Sequence, residues 1–270
     1  MPRALRLTAL TLSASVVLAC GGQSYDSAAD KSKTEPQPQP VVQPPAPDPL
    51  IVKVSQFAPA ELTVDITALS EAEQLTLNKL IAAARKMDPI FDRQAWIGNP
   101  ALRDKLAKGA SPFKLEYFDI MRGPWDRQDH FAPFAIETPH PPGAGFYPEN
   151  LSVDDFKRWL ADHPADKAAF ESLTTVIERT STGLTAVPYS KAYAEWLEPA
   201  AELLRQAAAT TENKSLKKFL ESRAAAFASD DYYASDKDWM DLDSPVEITI
   251  GPYETYEDEL LGLKASFEAF

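Results

Sequence analysis

Val246-Glu-Ile-Thr-Ile-Gly-Pro-Tyr-Glu254-Thr-Tyr256-Glu-Asp258 is the stretch on which the reading of this chain turns. Val246, Ile248 and Ile250 alternate with Glu247 and Thr249, the period-two pattern of a strand with one face buried. Gly251-Pro252 follows as a turn signal, and beyond it stand a carboxylate, Glu254, and a phenol, Tyr256. Residues two apart at a strand end share a face, so these two side chains are expected to line one wall. Taken alone, the pair also reads as a surface carboxylate beside a half-buried aromatic. Just upstream, Asp230 to Asp243 is an acidic run without the ligand spacing of a calcium loop, and it reads as a solvated turn region.

Working outward, most of the body is helical in pattern. Ser70-Glu-Ala-Glu73 is a capping box opening a helix to about Met87, with Leu77, Leu80, Ile81 and Ala84 facing inward. A second, shorter helix is predicted from Phe91 to about Lys108, and Phe113 to Phe118 alternates as a strand. Gly123 to Pro148 is too rich in Pro and Gly for regular structure, yet its aromatics predict ordered packing, with Trp125, Phe146 and Tyr147 either lining a cleft or, the favoured reading, in the core. Ser152-Val-Asp-Asp155 caps another helix, and Pro164 opens one reaching about Arg179. Tyr189 to Ala209 is helical with a kink or break at Pro199, and Lys214 to Ala228 places Leu216, Phe219, Leu220 and Phe227 inward. Leu62 to Ile66 is a short extended entry to this body.

The N-terminus has a different character. Arg3 and Arg6 precede a short apolar run, Leu7 to Ala19, that is below the roughly 20 residues of a membrane-spanning helix. It ends at Cys20, the sole cysteine of the chain, and Val17-Leu18-Ala19-Cys20-Gly21 resembles the lipobox of bacterial lipoproteins. Residues 1–20 are therefore read as a signal peptide with a lipidation site at Cys20. Residues 21–49 are a disordered linker, Pro-dense from Pro36 to Pro49 and extended in the manner of polyproline, and residues 50–270 are the body. The expected location is the bacterial cell envelope, lipid-anchored at the outer membrane and facing the periplasm. The net charge of −13 opposes nucleic acid as a partner, because phosphate would be repelled.

Chemistry is narrowed by elimination. The three histidines, His130, His140 and His163, have no i, i+4 pair and no zinc-protease spacing. No nucleophile elbow, Gly-rich phosphate loop or dinucleotide fingerprint is present.

Five segments in order resemble the dipeptidyl peptidase III family of zinc metallopeptidases, especially its shorter bacterial members. They are Phe57-Ala-Pro-Ala-Glu-Leu-Thr-Val-Asp65 with Met87-Asp-Pro-Ile-Phe-Asp-Arg-Gln-Ala95, Gly123-Pro-Trp-Asp-Arg127, and Gly143-Ala-Gly-Phe-Tyr-Pro148. The others are Leu216 to Arg223 with Asp230 to Leu242, and Ile250-Gly-Pro-Tyr-Glu-Thr-Tyr256 with Phe267-Glu-Ala-Phe270. The resemblance implies a two-lobed protein, one lobe around a small β-barrel and one helical. The expected fold class is mainly α with minor β (α+β), a helix-rich lobe with part of that barrel. By the same resemblance Glu254 receives the free N-terminal ammonium of a short peptide, and Tyr256 donates to the scissile carbonyl. The family's zinc ligands lie C-terminal to everything in this chain, so no residue here is assigned to metal and zinc is expected in a full-length parent. The function implied is the substrate-binding half of a lipid-anchored peptidase that releases short N-terminal peptides. The competing expectation is a non-catalytic peptide-binding or scaffolding envelope lipoprotein.

Overall fold

The capping box at Ser70 forms as the sequence requires. Ser70 Oγ accepts from Glu73 N at 3.2 Å, and Glu73 Oε2 accepts from Ser70 N at 2.7 Å, opening α2, Glu71–Ala84. The structure is a computed structural model describing residues 48–270, so Cys20 and the signal peptide and nearly all of the linker lie outside the described residues. A short helix α1, Leu50–Val54, precedes α2. The segment Leu62 to Ile66 joins no sheet.

The expected helix from Phe91 to Lys108 is two helices, α3, Asp88–Ala95, and α4, Asn99–Ala107. Trp96 is extended between them, and the Pro100 ring would clash with a continuous preceding turn. The strand expected at Phe113–Phe118 is instead α5, Pro112–Met121. Here local chemistry outweighs alternation: Ser111 Oγ caps Lys114 N at 3.2 Å, and Pro112 is preorganised for the first helical turn. Arg122, at φ 56°, ends it in the left-handed region. Tyr117 and Met121 of α5 then pack against Leu50 of α1 in a small satellite core.

Two short bridges follow, β1, Trp125–Asp126, and β2, Ala132–Pro133. The Gly- and Pro-rich loop around them is ordered, with Trp125, Phe146 and Tyr147 buried as predicted. Gly145 is required there, since its N–H donates to Gln94 C=O at 2.8 Å and a Cβ would collide with the Arg93 carbonyl. Ser152 caps α6, Val153–Asp162. The expected helix from Pro164 to Arg179 ends early. A 3-10 turn at Pro164–Asp166 leads into α7, Lys167–Phe170, and the chain then forms a hairpin of β3, Thr175–Thr180, and β4, Gly183–Pro188. The run Thr174-Thr-Val-Ile177 is β-branched throughout, and Gly183 (φ 131°) closes the turn beneath the Trp159 ring.

The helix from Tyr189 breaks at Tyr193 rather than at Pro199, giving α8, Tyr189–Ala192, and α9, Ala194–Thr210. Pro199 lies in the second turn of α9. Asn213 caps α10, Lys214–Ser229, whose Leu216, Phe219, Leu220 and Phe227 are buried. The core is centred on α2, α9 and α10. The acidic run from Asp230 stays largely exposed, as expected, but folds as a helix rather than a turn. It holds α11, Tyr233–Met240, and pairs Asp236 with Arg223 and Asp238 with Lys218. Finally β5, Ile250–Glu254, pairs antiparallel with β6, Ser266–Ala269. The mainly α, minor β class holds. The strands make three two-stranded antiparallel sheets and no closed barrel among the described residues.

Candidate functional site

Val246, Ile248 and Ile250 are buried in alternation, as their pattern demands, although the ladder proper begins at Ile250. Thr249 and Phe270 exchange both backbone hydrogen bonds just before it, at 2.9 and 2.8 Å. Gly251 and Pro252, expected as a turn, lie inside β5, opposite Glu268 and Phe267 of β6. The register then slips between Pro252 and Glu254, making a bulge at Tyr253. A bulge tolerates the missing proline N–H and bends the strand, re-aiming the residues that follow.

Glu254 ends β5 and is exposed, and Tyr256, two residues on, is 57% exposed. Both border Glu268, a residue with no role in the sequence reading. Tyr256 Oη donates to Glu268 Oε1 at 3.4 Å. Burial first, and then the charge of Glu254, push the Glu268 carboxyl above the usual carboxylate range. Burial, with Glu268 and Glu257 nearby, raises the Tyr256 phenol to about 12, so at neutral pH it remains a hydrogen-bond donor.

The turn after Tyr256 is held by two buried carboxylates. Glu257 accepts a two-pronged bond from Arg127, Nη1 at 2.5 Å and Nη2 at 2.9 Å, while Arg127 Nε donates to Met121 C=O at 2.7 Å. Asp258 accepts from Tyr147 Oη at 2.7 Å and from the backbone N–H groups of Leu260, Leu261, Leu263 and Lys264. One carboxylate thus organises the whole loop from β5 to β6, because ionised oxygens accept several donors at once. Lys264 is itself fully buried. Its ammonium donates to Phe170 C=O at 2.6 Å, Ser172 C=O at 2.8 Å and Thr175 Oγ1 at 2.8 Å. Burial lowers its pKa to about 8. Gln94 ties α3 to β6, accepting from Phe267 N at 2.7 Å.

Beneath β5 lies Arg223 of α10, with a side chain 1% exposed and Nη2 donating to Asp236 Oδ1 at 2.6 Å. Its guanidinium is boxed by the rings of Phe219, Tyr232 and Tyr253. Gly251 (φ 152°) leaves room for it, since a Cβ there would stand 2.6 Å from Arg223 Nη1.

The histidines stay apart in role. His140 stacks on Phe131, and burial, followed by the Arg127 charge, lowers its pKa to about 4; His163 stacks on Trp159. Among the described residues no group of three or more His, Cys, Asp or Glu is placed to hold a metal ion, so these residues do not fit a zinc site.

No family model matches the chain. Its fold matches the structure of dipeptidyl peptidase III from Caldithrix abyssi, with TM-score 0.80 and 47% identity, over 82% of this chain and 43% of that one. The chain is dipeptidyl peptidase III-like. The dipeptidyl peptidase III of Corallococcus sp. strain EGB matches at TM-score 0.78 and 42% identity, over 82% of this chain and 42% of that one. Nudix hydrolase 3 of Arabidopsis thaliana is 36% identical over 273 aligned positions, 81% of this chain and 35% of that protein. The chain therefore spans less than half the length of each of these proteins.

Arg127, Glu257, Asp258 and Lys264 supply most of the order around Tyr256, and sequence reasoning missed all four. Glu257-Asp258 directly after Tyr256 was the available signal, but a buried carboxylate and a solvated one look alike in sequence.

Proposed function

We propose that this chain forms the peptide-binding part of a dipeptidyl peptidase III-like peptidase. The likeness to two such enzymes at 47% and 42% identity supports the reading, and the juxtaposition of Glu254, Tyr256 and Glu268 gives it a chemical basis. Two carboxylates held near each other repel, and burial first, then the charge of Glu254, already make Glu268 reluctant to ionise. A peptide's N-terminal ammonium placed between them relieves that repulsion and repays its own desolvation, whereas an internal peptide bond has no charge to offer. This selects substrates by their free amino end. Tyr256 keeps its proton and donates to the carbonyl oxygen on which negative charge develops, a donor typically worth about 2.7–4 kcal/mol in the transition state. The zinc that the family resemblance implies finds no ligand set among the described residues, and the roles proposed here belong to Glu254, Glu268 and Tyr256 alone. Attachment to the envelope through a lipid on Cys20 completes the proposal.

The test is titration calorimetry of the chain with a short peptide carrying a free N-terminus and with its N-acetylated twin. The free peptide is expected to bind more tightly by about 10- to 100-fold, the range of a charge-assisted hydrogen bond, and Glu254→Gln should erase most of the difference. Equal affinity for the two peptides would sink the anchor. Where hydrolysis is measurable, Tyr256→Phe should lower kcat far more than it raises KM. Incorporation of a labelled fatty acid that is lost in Cys20→Ser checks the anchor; labelling that persists refutes it.

A further inference from the structure

The segment Phe146–Pro148 covers the outer edge of β3 and walls a cavity that none of Glu254, Tyr256 and Glu268 lines. Ile177 N–H donates to Phe146 C=O, and Gly145 N–H donates to Gln94 C=O, both at 2.8 Å. Main-chain bonds thus fix this wall between α3 and β3, and the cavity is preformed. It measures about 500 Å³, the size of a small-molecule site. Pro148, Val176, Tyr193 and Trp196 give it apolar surface, and Ile97 borders it at 63% exposure. Two cations and one acid join them, Arg93, Arg179 and the exposed Glu178, in a protein whose net charge is −13. The Arg93 guanidinium lies 4.2 Å from the centre of the Trp196 ring, and Nη1 donates to Pro89 C=O at 2.8 Å. Among the described residues its Nε and Nη2 meet no acceptor, and no carboxylate pairs with it. That leaves one edge of the guanidinium whole. It is the same Nε–Nη2 fork with which Arg103 holds both oxygens of Asp119 at 2.7 Å. Arg179 adds a second positive charge and reaches only Asn150 Oδ1, at 3.3 Å.

We propose that this cavity binds a small organic acid with an apolar body, its carboxylate on the Arg93 fork and its body against Trp196, Tyr193 and Ile97. The carboxylate gains two parallel charge-assisted hydrogen bonds, a geometry that a guanidinium edge matches and an ammonium does not. The Trp196 ring and the Pro89 carbonyl already hold the fork in place, so little freedom is lost when a ligand arrives. The apolar body removes the faces of Trp196 and Ile97 from water. A cationic ligand is disfavoured, since Arg93 and Arg179 outweigh Glu178. The site goes beyond the peptidase reading and does not depend on it, because an acid without an amine has nothing to offer Glu254.

The probe is hydrocinnamate, a phenyl ring on a propionate chain, titrated against the full chain by calorimetry. Hydrocinnamyl alcohol, which has the same body and no charge, is titrated beside it. Saturable binding of one acid per chain is expected, with the alcohol weaker by about 10-fold or more. Arg93→Met should close the gap between the two by weakening the acid alone, which a loss of general packing would not do. Ala192→Phe crowds the cavity wall and should abolish binding of the acid. The comparison of acid with alcohol needs no substitution, so it decides the matter even where a variant fails to fold. No saturable binding of the acid, or equal affinity for acid and alcohol, would overturn the proposal. A gap that survives in folded Arg93→Met, or acid binding undiminished in Ala192→Phe, would place the acid elsewhere and overturn it as well.

Discussion

Lys264→Met is expected to destabilise the protein at neutral pH and to erase a rise in its stability under mildly alkaline conditions. The ammonium uses its three N–H donors on three acceptors, the buried Phe170 C=O and Thr175 Oγ1 and the half-buried Ser172 C=O. Methionine has no donor, and each abandoned buried acceptor costs about 1–3 kcal/mol, partly offset because a buried charge is no longer carried. A net loss of about 2–4 kcal/mol at pH 7 follows. The pH signature has a definite sign. Burial lowers the Lys264 pKa to about 8 from 10.5, against the opposing pull of Asp258 and Glu171. Between those two values the unfolded chain keeps a proton that the folded chain has released, so folding stability rises with pH. Each pKa unit corresponds to about 1.4 kcal/mol, so the full rise is on the order of 3 kcal/mol, and below pH about 8 the slope vanishes. The phenols of Tyr147 and Tyr189, which burial holds above their ordinary 10.0, act in the opposite direction and only above that pH. Urea unfolding followed by circular dichroism at half-unit steps from pH 7 to about 10 reads both effects. An equal pH slope in Lys264→Met and the unmodified chain would refute the assignment of that proton to Lys264, and unchanged stability at pH 7 would refute the hydrogen-bond argument.

Asp258→Asn replaces an acceptor of five hydrogen bonds with a side chain that accepts at one oxygen only. A loss of about 3 kcal/mol in urea unfolding is expected, and a loss within experimental error would mean that the loop is held elsewhere. Gly251→Ala puts a methyl 2.6 Å from Arg223 Nη1 at φ 152°, and the boxed guanidinium has little room to retreat. It should cost about 2–3 kcal/mol, with Arg223→Met in the same background restoring part of it. Ser111→Ala removes the cap of α5 and should lower stability by about 1 kcal/mol, seen as a lower Tm. Affinity for a free peptide N-terminus should fall as the pH is lowered through the raised Glu268 range, because protonation removes one of the two charges facing the ammonium. A flat acid limb in calorimetric titrations would exclude Glu268 from the anchor.

Much of this molecule was legible without coordinates wherever the determining interaction is local. The Ser70 capping box, the inward face of α10 and the buried alternation of Val246, Ile248 and Ile250 each follow from residues a few positions apart, whose spacing matches a helix or strand period. The errors fall where two local signals compete. Alternation at Phe113–Phe118 lost to the Ser111-Pro112 start, and a proline-led helix lost to the β-branched run at Thr174–Ile177. Glu254 and Tyr256 stood out through their order after a strand, but the bulge at Tyr253 that re-aims them needed the β6 partner to be seen. Glu268, Arg127 and Lys264 lie 12, 129 and 8 residues from Tyr256, at separations set by no backbone period. Their partners are chosen by burial, where a charge must find its donors or acceptors at long range or not be buried at all. The chain order of residues thus decides which segments are helices and strands and names two polar side chains at the end of a strand. Packing alone decides that Glu268 is their neighbour, and that Glu257, Asp258 and Lys264 are held still beneath them.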